Sequence, residues 1–312
     1  MICFPNAKIN IGLNIIEKRA DGFHNIESVM YPLRGILCDA LEIVTSSPAL
    51  LLKQEKGEKT AMLITSGISI PGNENENLCV KAYNLIKKDY PQVPAIEIHL
   101  HKAIPIGAGL GGGSADAAFF IRLLNDTFEL GISWGEMHHY ARQLGSDCSF
   151  FVSNKAAFAE EKGDKFESIN LDLSGYYVAA VYPNIHISTV EAYSLVKPRI
   201  LEQSNNRTIE HSNVRTSNVP MFECSLQELI KLPIEKWRNK IVNDFERPIF
   251  EKYPALKKIK QQLYSQGALY ASMSGSGSAL YGIFRKEPKV NLPAGKAGKK
   301  FGEYQVWEGK FI

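Results

Sequence analysis

The chain has 312 residues, 45% of them apolar and 22% charged, which is ordinary for a folded globular protein and excludes wholesale disorder. Its 36 basic and 33 acidic side chains leave a formal charge of +3, too balanced to argue for a nucleic-acid partner or an anionic membrane surface. No apolar run reaches the ~18 residues of a membrane-spanning helix, and Asn6, Lys8 and Asn10 interrupt any apolar core of a signal peptide.

The length predicts about two domains. Five cysteines, at positions 3, 38, 79, 148 and 224, are too widely and irregularly spaced for a disulfide framework or a zinc pattern. They read as single buried thiols in a reducing cytoplasm.

In chain order, Lys8–Ile16 alternates loosely and suits a strand, and Ala20-Asp21-Gly22 is a turn signal. Ile96, Ile98 and Leu100 alternate with Glu97, His99 and His101, which predicts a half-buried strand ended by Pro105. Ser114 is a candidate N-cap for an Ala/Leu/Phe-rich helix over Ala115–Asn125. Ser133 with Glu136 forms a capping box for a helix ending at Gly145. A second apolar strand, Tyr176–Val181, follows the polar stretch 160–174, so a domain boundary is expected near 165–175. Residues 200–220 read as a polar surface loop. Leu256, Ile259 and Leu263 have helical spacing, and 267–284 reads as strand, Gly/Ser turn, strand. Residues 285–300 hold six Lys/Arg and one acid and read as a solvated basic edge. His99, His101, His138, His139, His186 and His211 read as outward strand, helix or loop residues.

The sharpest feature is the run Pro105-Ile106-Gly107-Ala108-Gly109-Leu110-Gly111-Gly112-Gly113-Ser114. Glycines let the backbone take positive φ and expose its N–H groups. The run leads into a helix start, where unpaired N–H groups and the helix dipole favour an anion. A polyphosphate is the expected ligand, and the Ser114 hydroxyl can reach a phosphate oxygen or its magnesium. Two other readings compete. Gly107, Gly109 and Gly112 satisfy the dinucleotide pattern Gly-x-Gly-x-x-Gly, with Glu129 roughly where a ribose acid belongs. That fingerprint, however, opens the first unit of a parallel sheet, whereas the strand before this run alternates. A passive linker is hard to reconcile with Pro105 before the run and an apolar helix after it.

The segment Pro-x-x-x-Gly-Leu-Gly-Gly-Gly-Ser-Ala-Asp116 resembles the ATP loop of the galacto-, homoserine, mevalonate and phosphomevalonate (GHMP) kinase superfamily. Asn6-Ala-Lys-Ile-Asn10 and Ser274-Gly-Ser-Gly-Ser278 fit the superfamily in order. Lys18-Arg-Ala-Asp-Gly-Phe-His24, Gly145-Ser-Asp-Cys-Ser-Phe-Phe151, Ala156-Ala-Phe-Ala-Glu160 and Asn243-Asp-Phe-Glu246 narrow the resemblance to the 4-diphosphocytidyl-2-C-methyl-D-erythritol kinase family.

That resemblance implies an α+β, two-domain GHMP kinase fold. Its ribosomal-protein-like N-terminal domain would span 1–170 and its ferredoxin-like C-terminal domain 171–312, with the active site between them. It implies a cytoplasmic enzyme of non-mevalonate isoprenoid synthesis, using ATP and Mg2+ to phosphorylate the 2-hydroxyl of a cytidine-diphosphate-linked methylerythritol. The expected partner is this small molecule alone, with the chain a monomer or weak homodimer. Asp147 matches the family's catalytic aspartate, although it also stands where a helix starting at Cys148 would take an N-cap. Lys8 matches the catalytic lysine and Asn10 shares its strand face. Phe23 and Tyr193 match aromatics that sandwich cytosine, His24 its hydrogen-bonding histidine, and Thr189 opens the segment carrying Tyr193. Pro105 through Ser114, with Asn77 and Lys102, match the nucleotide contacts, and Gly275 and Gly277 a turn packed on the phosphate loop. Another small-molecule kinase of the superfamily, of homoserine or mevalonate type, is the nearest alternative. A dinucleotide-binding oxidoreductase and a non-catalytic nucleotide-binding regulator are more distant ones.

Overall fold

A computed structural model describes residues 1–45, 61–196, 225–291 and 304–312. The polar 200–220 segment, Cys224 and most of the basic 285–300 stretch lie outside these residues. The chain forms two compact units, and neither is one continuous stretch. The first holds residues 1–9, 31–155 and 312, and the second residues 10–30 and 156–311. The chain crosses between them three times near its beginning and middle, at 9/10, 30/31 and 155/156, the last of these ahead of the boundary expected at 170/171.

The first unit contains a four-stranded mixed sheet in the order β1 (Ile2–Cys3), β4 (Ala40–Val44), β6 (Ile96–Lys102), β5 (Ala61–Gly67). Strand β6 runs antiparallel to β4 and parallel to β5. Its apolar face is as read, with Ile96, Ile98 and Leu100 buried, but the polar face is not wholly outward: His101 is exposed and His99 half-buried, whereas Glu97 is buried with its carboxylate 3.0 Å from the His99 ring nitrogen. A sheet of this mixed kind is not the parallel unit that a dinucleotide fingerprint opens. Glu129 is the exposed C-cap of the helix after the glycine run.

Four helices complete the unit's main framework: α1 (Leu78–Asp89), α2 (Gly112–Phe128), α3 (Trp134–Leu144) and α4 (Cys148–Ser153). Helix α2 is central, packing on α1, α3, α4 and β4. Its Ala115, Ala117, Ala118, Phe120, Ile121, Leu123 and Leu124 are buried, which explains its small and apolar composition. Helix α3 begins in the expected capping box, with both Ser133 and Glu136 engaged. Helix α2 starts earlier than expected. Gly111, with φ of 73°, is its cap, and Ser114 lies in the first turn. Two consecutive glycines, Gly112 and Gly113, can open the helix here because the turns after them supply the packing that glycine lacks.

In the second unit, β2 (Lys8–Lys18), β3 (His24–Pro32), β7 (Ala157–Glu160) and β8 (Lys165–Ser168) form one sheet, to which the unit contributes all but the ends of β2 and β3. The other, antiparallel, has the order β10 (Tyr270–Met273), β11 (Leu280–Phe284), β9 (Tyr177–Tyr182), β12 (Gln305–Lys310). Short helices α5 (Thr189–Leu195), α6 (Leu226–Leu229) and α7 (Glu246–Lys252) accompany the longer α8 (Pro254–Ser265). The expected stripe Leu256, Ile259 and Leu263 is the buried face of α8, and it joins a core with Leu13, Ile15, Phe245, Ala271 and Leu280.

Two expectations about single residues are corrected. Cys79 and Cys148 are buried, but Cys3 and Cys38 are only half-buried. Burial still raises all four thiols, Cys3 and Cys148 up to about 12, which makes them poor nucleophiles. His138 does not face outward freely. Its two ring nitrogens lie 2.7 Å from Ser149 Oγ and 3.2 Å from Ser153 Oγ, tying α3 to α4.

Candidate active site

The glycine run behaves as its composition demands. Gly107, Gly109 and Gly111 all have positive φ, at 67°, 79° and 73°. At Gly111 a side chain is also excluded by space: a Cβ there would stand 2.9 Å from Phe151 Cζ and 3.1 Å from Lys8 Cγ. Gly113 is exposed with open space around it. The backbone folds back once into α2, where Ala115 N donates to Gly111 O at 2.9 Å. The N–H groups of the residues before it have no partner within a helix, so this end can hold phosphate oxygens. Ser114 is half-buried beside the Cys148 thiol.

Lys8 opens β2 beneath this loop. Its backbone N donates to Leu110 O at 2.9 Å and its Nζ to Gly109 O at 3.0 Å. The same Nζ stands 3.5 Å from Asp147 Oδ2. Asp147 occupies the N-cap position of α4, as its place after Gly145 suggested, yet its side chain makes no capping bond. Its carboxylate faces Lys8 instead. Burial pulls the Lys8 ammonium below the ordinary lysine range, and Asp147 opposes that pull.

Two candidate nucleotide contacts have partners of their own. Asn77 is the N-cap of α1, its side chain accepting from Cys79 N at 2.9 Å. Lys102, at the end of β6, pairs with Asp39 and, at 2.7 Å, with Asp116. Burial works against the Lys102 ammonium, but the two carboxylates outweigh it and raise its pKa. Sequence reasoning gives Asp116 no role beyond its place in the loop motif, and it misses Asp39. No local signal could have found Asp39, which lies 63 positions from Lys102.

The second unit holds the remaining candidates and brings His24 and Tyr193 into contact. Asp21 Oδ1 accepts from Phe23 N at 3.1 Å, setting the turn that leaves Phe23 59% exposed. Lys162 Nζ lies 5.3 Å from the centre of that ring. His24 stacks on Tyr193, with centroids 4.8 Å apart and planes 22° from parallel, and Tyr193 packs edge-on against Phe245. Tyr193 thus has His24 against its face. Burial, helped by Lys18, lowers the His24 pKa. Thr189 is the exposed first residue of α5, capped by Ser188. Asn10 is buried, its amide donating to Ser28 Oγ at 2.9 Å, while its backbone bonds to Ser274 Oγ and Tyr281 Oη.

Asn243 holds the Gly/Ser turn, donating to Met273 O at 2.9 Å and Gly275 O at 2.8 Å. Gly277 in that turn has φ of 92°, and a Cβ there would lie 2.7 Å from Met273 Sδ.

Among the described residues no cluster of three His, Cys, Asp or Glu could hold a metal by itself, and no helix is long and apolar enough to cross a membrane. A magnesium held largely by phosphate oxygens and water needs only one or two protein ligands. The half-buried Ser114 hydroxyl at the loop fits that requirement.

Residues 77–155 match the GHMP kinases N terminal domain and residues 226–297 the GHMP kinases C terminal domain. A 4-diphosphocytidyl-2-C-methyl-D-erythritol kinase of Cytophaga hutchinsonii is 46% identical over 291 residues, covering 93% of this chain and 94% of the relative. One of Parabacteroides distasonis is 43% identical over 310 residues, covering 99% of both. The crystal structure of a 4-(cytidine 5'-diphospho)-2C-methyl-D-erythritol kinase superposes with a TM-score of 0.68 at 24% identity, over 99% of this chain and 98% of that one. The Methanococcus jannaschii mevalonate kinase superposes at 0.61 with 15% identity, over 91% and 90%. These two likenesses show the α+β GHMP kinase fold. With identity this high along nearly its whole length, the chain belongs to the 4-diphosphocytidyl-2-C-methyl-D-erythritol kinase family within the GHMP kinases and is an ATP-dependent kinase.

Proposed function

We propose that this kinase transfers the γ-phosphoryl group of ATP to the 2-hydroxyl of 4-diphosphocytidyl-2-C-methyl-D-erythritol, in the cytoplasm, on the non-mevalonate route to isoprenoid precursors. The observation that carries the reading is the placement of Lys8, whose ammonium reaches the glycine loop at Gly109 O and the Asp147 carboxylate together. Phosphoryl transfer asks for positioned partners and neutralised charge more than for covalent chemistry.

In this reading the nucleotide phosphates lie along Pro105–Ser114, against the N–H groups at the start of α2, with Asn77 beside the nucleotide. The substrate oxygen forms a bond to the γ-phosphorus as the bridging bond to the β-phosphate breaks and ADP leaves. The hydroxyl proton passes to Asp147. A carboxylate is a weak base, but in a loose transition state the proton moves late, when the oxygen is already acidic. Lys8 orients Asp147 and the hydroxyl and stabilises the charge on the moving group. Magnesium, when bound, neutralises phosphate charge, and Ser114 is the residue offered to it.

Cytosine recognition is assigned to Phe23, His24 and Tyr193 of the second unit, with Thr189 at the head of the Tyr193 helix. An exposed aromatic ring offers a face on which any base stacks, for ~1–3 kcal/mol. Asn10, already bonded to Ser28, is assigned to substrate hydroxyls.

The test is ADP release with magnesium and ATP, with and without the cytidine substrate. ADP release that depends on this substrate, and is inhibited by cytidine nucleotides, supports the reading. Turnover with homoserine or mevalonate in its place overturns the substrate assignment.

A further inference from the structure

Beneath the glycine loop lies a buried ionic cluster that the reaction as described does not use. Asp39, Lys102 and Asp116 are all almost fully buried. Asp39 Oδ1 accepts from Ala103 N at 2.6 Å and Ile104 N at 2.9 Å, the two amides just before Pro105. Its Oδ2 pairs with Lys102 Nζ. The same ammonium reaches Asp116 Oδ2 at 2.7 Å, one turn inside α2. The start of the glycine run and the helix at its end are therefore tied to one ammonium. Gly112 completes the arrangement: a Cβ there would lie 2.8 Å from Ile104 Cγ2 and 3.3 Å from Lys102 Nζ.

The cluster has more acid than base. Asp116 Oδ1 is buried with no hydrogen-bond partner among the described residues. A bare carboxylate oxygen in that position is costly, and burial, only partly offset by Lys102, pushes the Asp116 pKa up to about 8.

We propose that Lys102, Asp39 and Asp116 are positioning residues that fix both ends of the phosphate loop, and that Lys102 serves the nucleotide through this loop without touching it. A loop closed at both ends loses little freedom when phosphate binds, so affinity rests on the tie. The inference depends on the glycine run being the phosphate site.

The experiment compares the affinities of magnesium ATP and magnesium tripolyphosphate by calorimetry, which needs no second substrate. The variants are Asp116→Ala, Asp116→Asn, the pair Lys102→Met with Asp116→Leu, and Ser114→Ala in the loop itself. The paired change takes out the ammonium together with the acid it reaches on α2, while Asp39 keeps its bonds from Ala103 N and Ile104 N, which gives a second variant if Asp116→Ala does not fold. Thermal melting is followed in parallel. We expect Asp116→Ala and the paired variant to weaken both ligands about tenfold and by the same factor. Asp116→Asn, which still accepts from Lys102, stays within about twofold of wild type.

Weakening of ATP with unchanged tripolyphosphate binding in the paired variant means the ammonium touches the nucleoside, and the proposal falls. A lowered melting temperature with both affinities intact means the cluster is purely structural, and the proposal falls. Unchanged binding in Ser114→Ala as well removes the phosphate-loop reading itself.

Discussion

Lys8 Nζ and Asp147 Oδ2 lie 3.5 Å apart, and they meet from opposite surroundings: the Lys8 side chain is 4% exposed and that of Asp147 27%. The buried partner is fixed by the loop carbonyl of Gly109, and the other remains open to a reactant. This asymmetry suits a proton acceptor held by a fixed cation.

Replacing Asp147 by Asn keeps the shape and removes the basic oxygen. We expect kcat to fall about 10²–10⁴-fold while ATP affinity is retained. Steady-state kinetics with a separate ATP titration checks this, and undiminished turnover would remove Asp147 as the base.

Lys8→Met removes the cation beside Asp147 and the bond from Nζ to Gly109 O. A loss of about 10²–10³ in kcat is expected. Lys8→Arg does not restore it, because a planar guanidinium cannot take the place of a compact ammonium in a buried site. Single-turnover measurements separate this loss from slow product release.

Gly111→Ala forces a side chain into left-handed backbone against Phe151 and Lys8. Such strain costs about 1–3 kcal/mol. Melting should reveal that loss, and kcat should fall beyond it because Lys8 is displaced. A variant as active as wild type would show that the contact yields easily.

Phe23→Ala removes an exposed ring and should spare stability. If cytosine stacks there, KM for the cytidine substrate rises about five- to hundredfold with little change in kcat. A pure kcat loss contradicts the stacking assignment.

Asp116 has a signed effect on stability. Its proton is kept in the fold up to about pH 8 and released on unfolding above the ordinary value of 3.8. The folded state therefore binds more protons across that window, and stability falls as pH rises through it, levelling off above. Asp116→Asn does not titrate. Its melting temperature relative to wild type should climb from about pH 5 to pH 8 and then level off. A difference independent of pH would refute the raised pKa.

Much of this was legible in the sequence wherever the cause is local. The Ser133–Glu136 box, the α8 stripe and the positive-φ glycines are set by neighbours within a few residues. Ser114 misled because a capping serine is the usual start, whereas here Gly111 takes the left-handed turn and α2 draws its stability from tertiary packing. The Lys8–Asp147 pair became legible only through resemblance. Lys102 is a nucleotide contact by resemblance alone; its pairing with Asp39, 63 positions away, is visible only in the fold.

The chain's early crossing into the second unit bears on its synthesis. Residues 10–30 leave the ribosome more than 200 residues ahead of their partners: Asn10 bonds to Ser274 and Tyr281, and Leu13 to Val242 and Asp244. The hairpin must wait for these bonds until residue 281 has emerged. Such long loop closures slow folding and leave a nascent chain exposed to aggregation. Cutting the chain after residue 155 would strand that hairpin on the wrong fragment, so neither half is expected to be expressed in native form unless residues 10–30 are grafted onto the second.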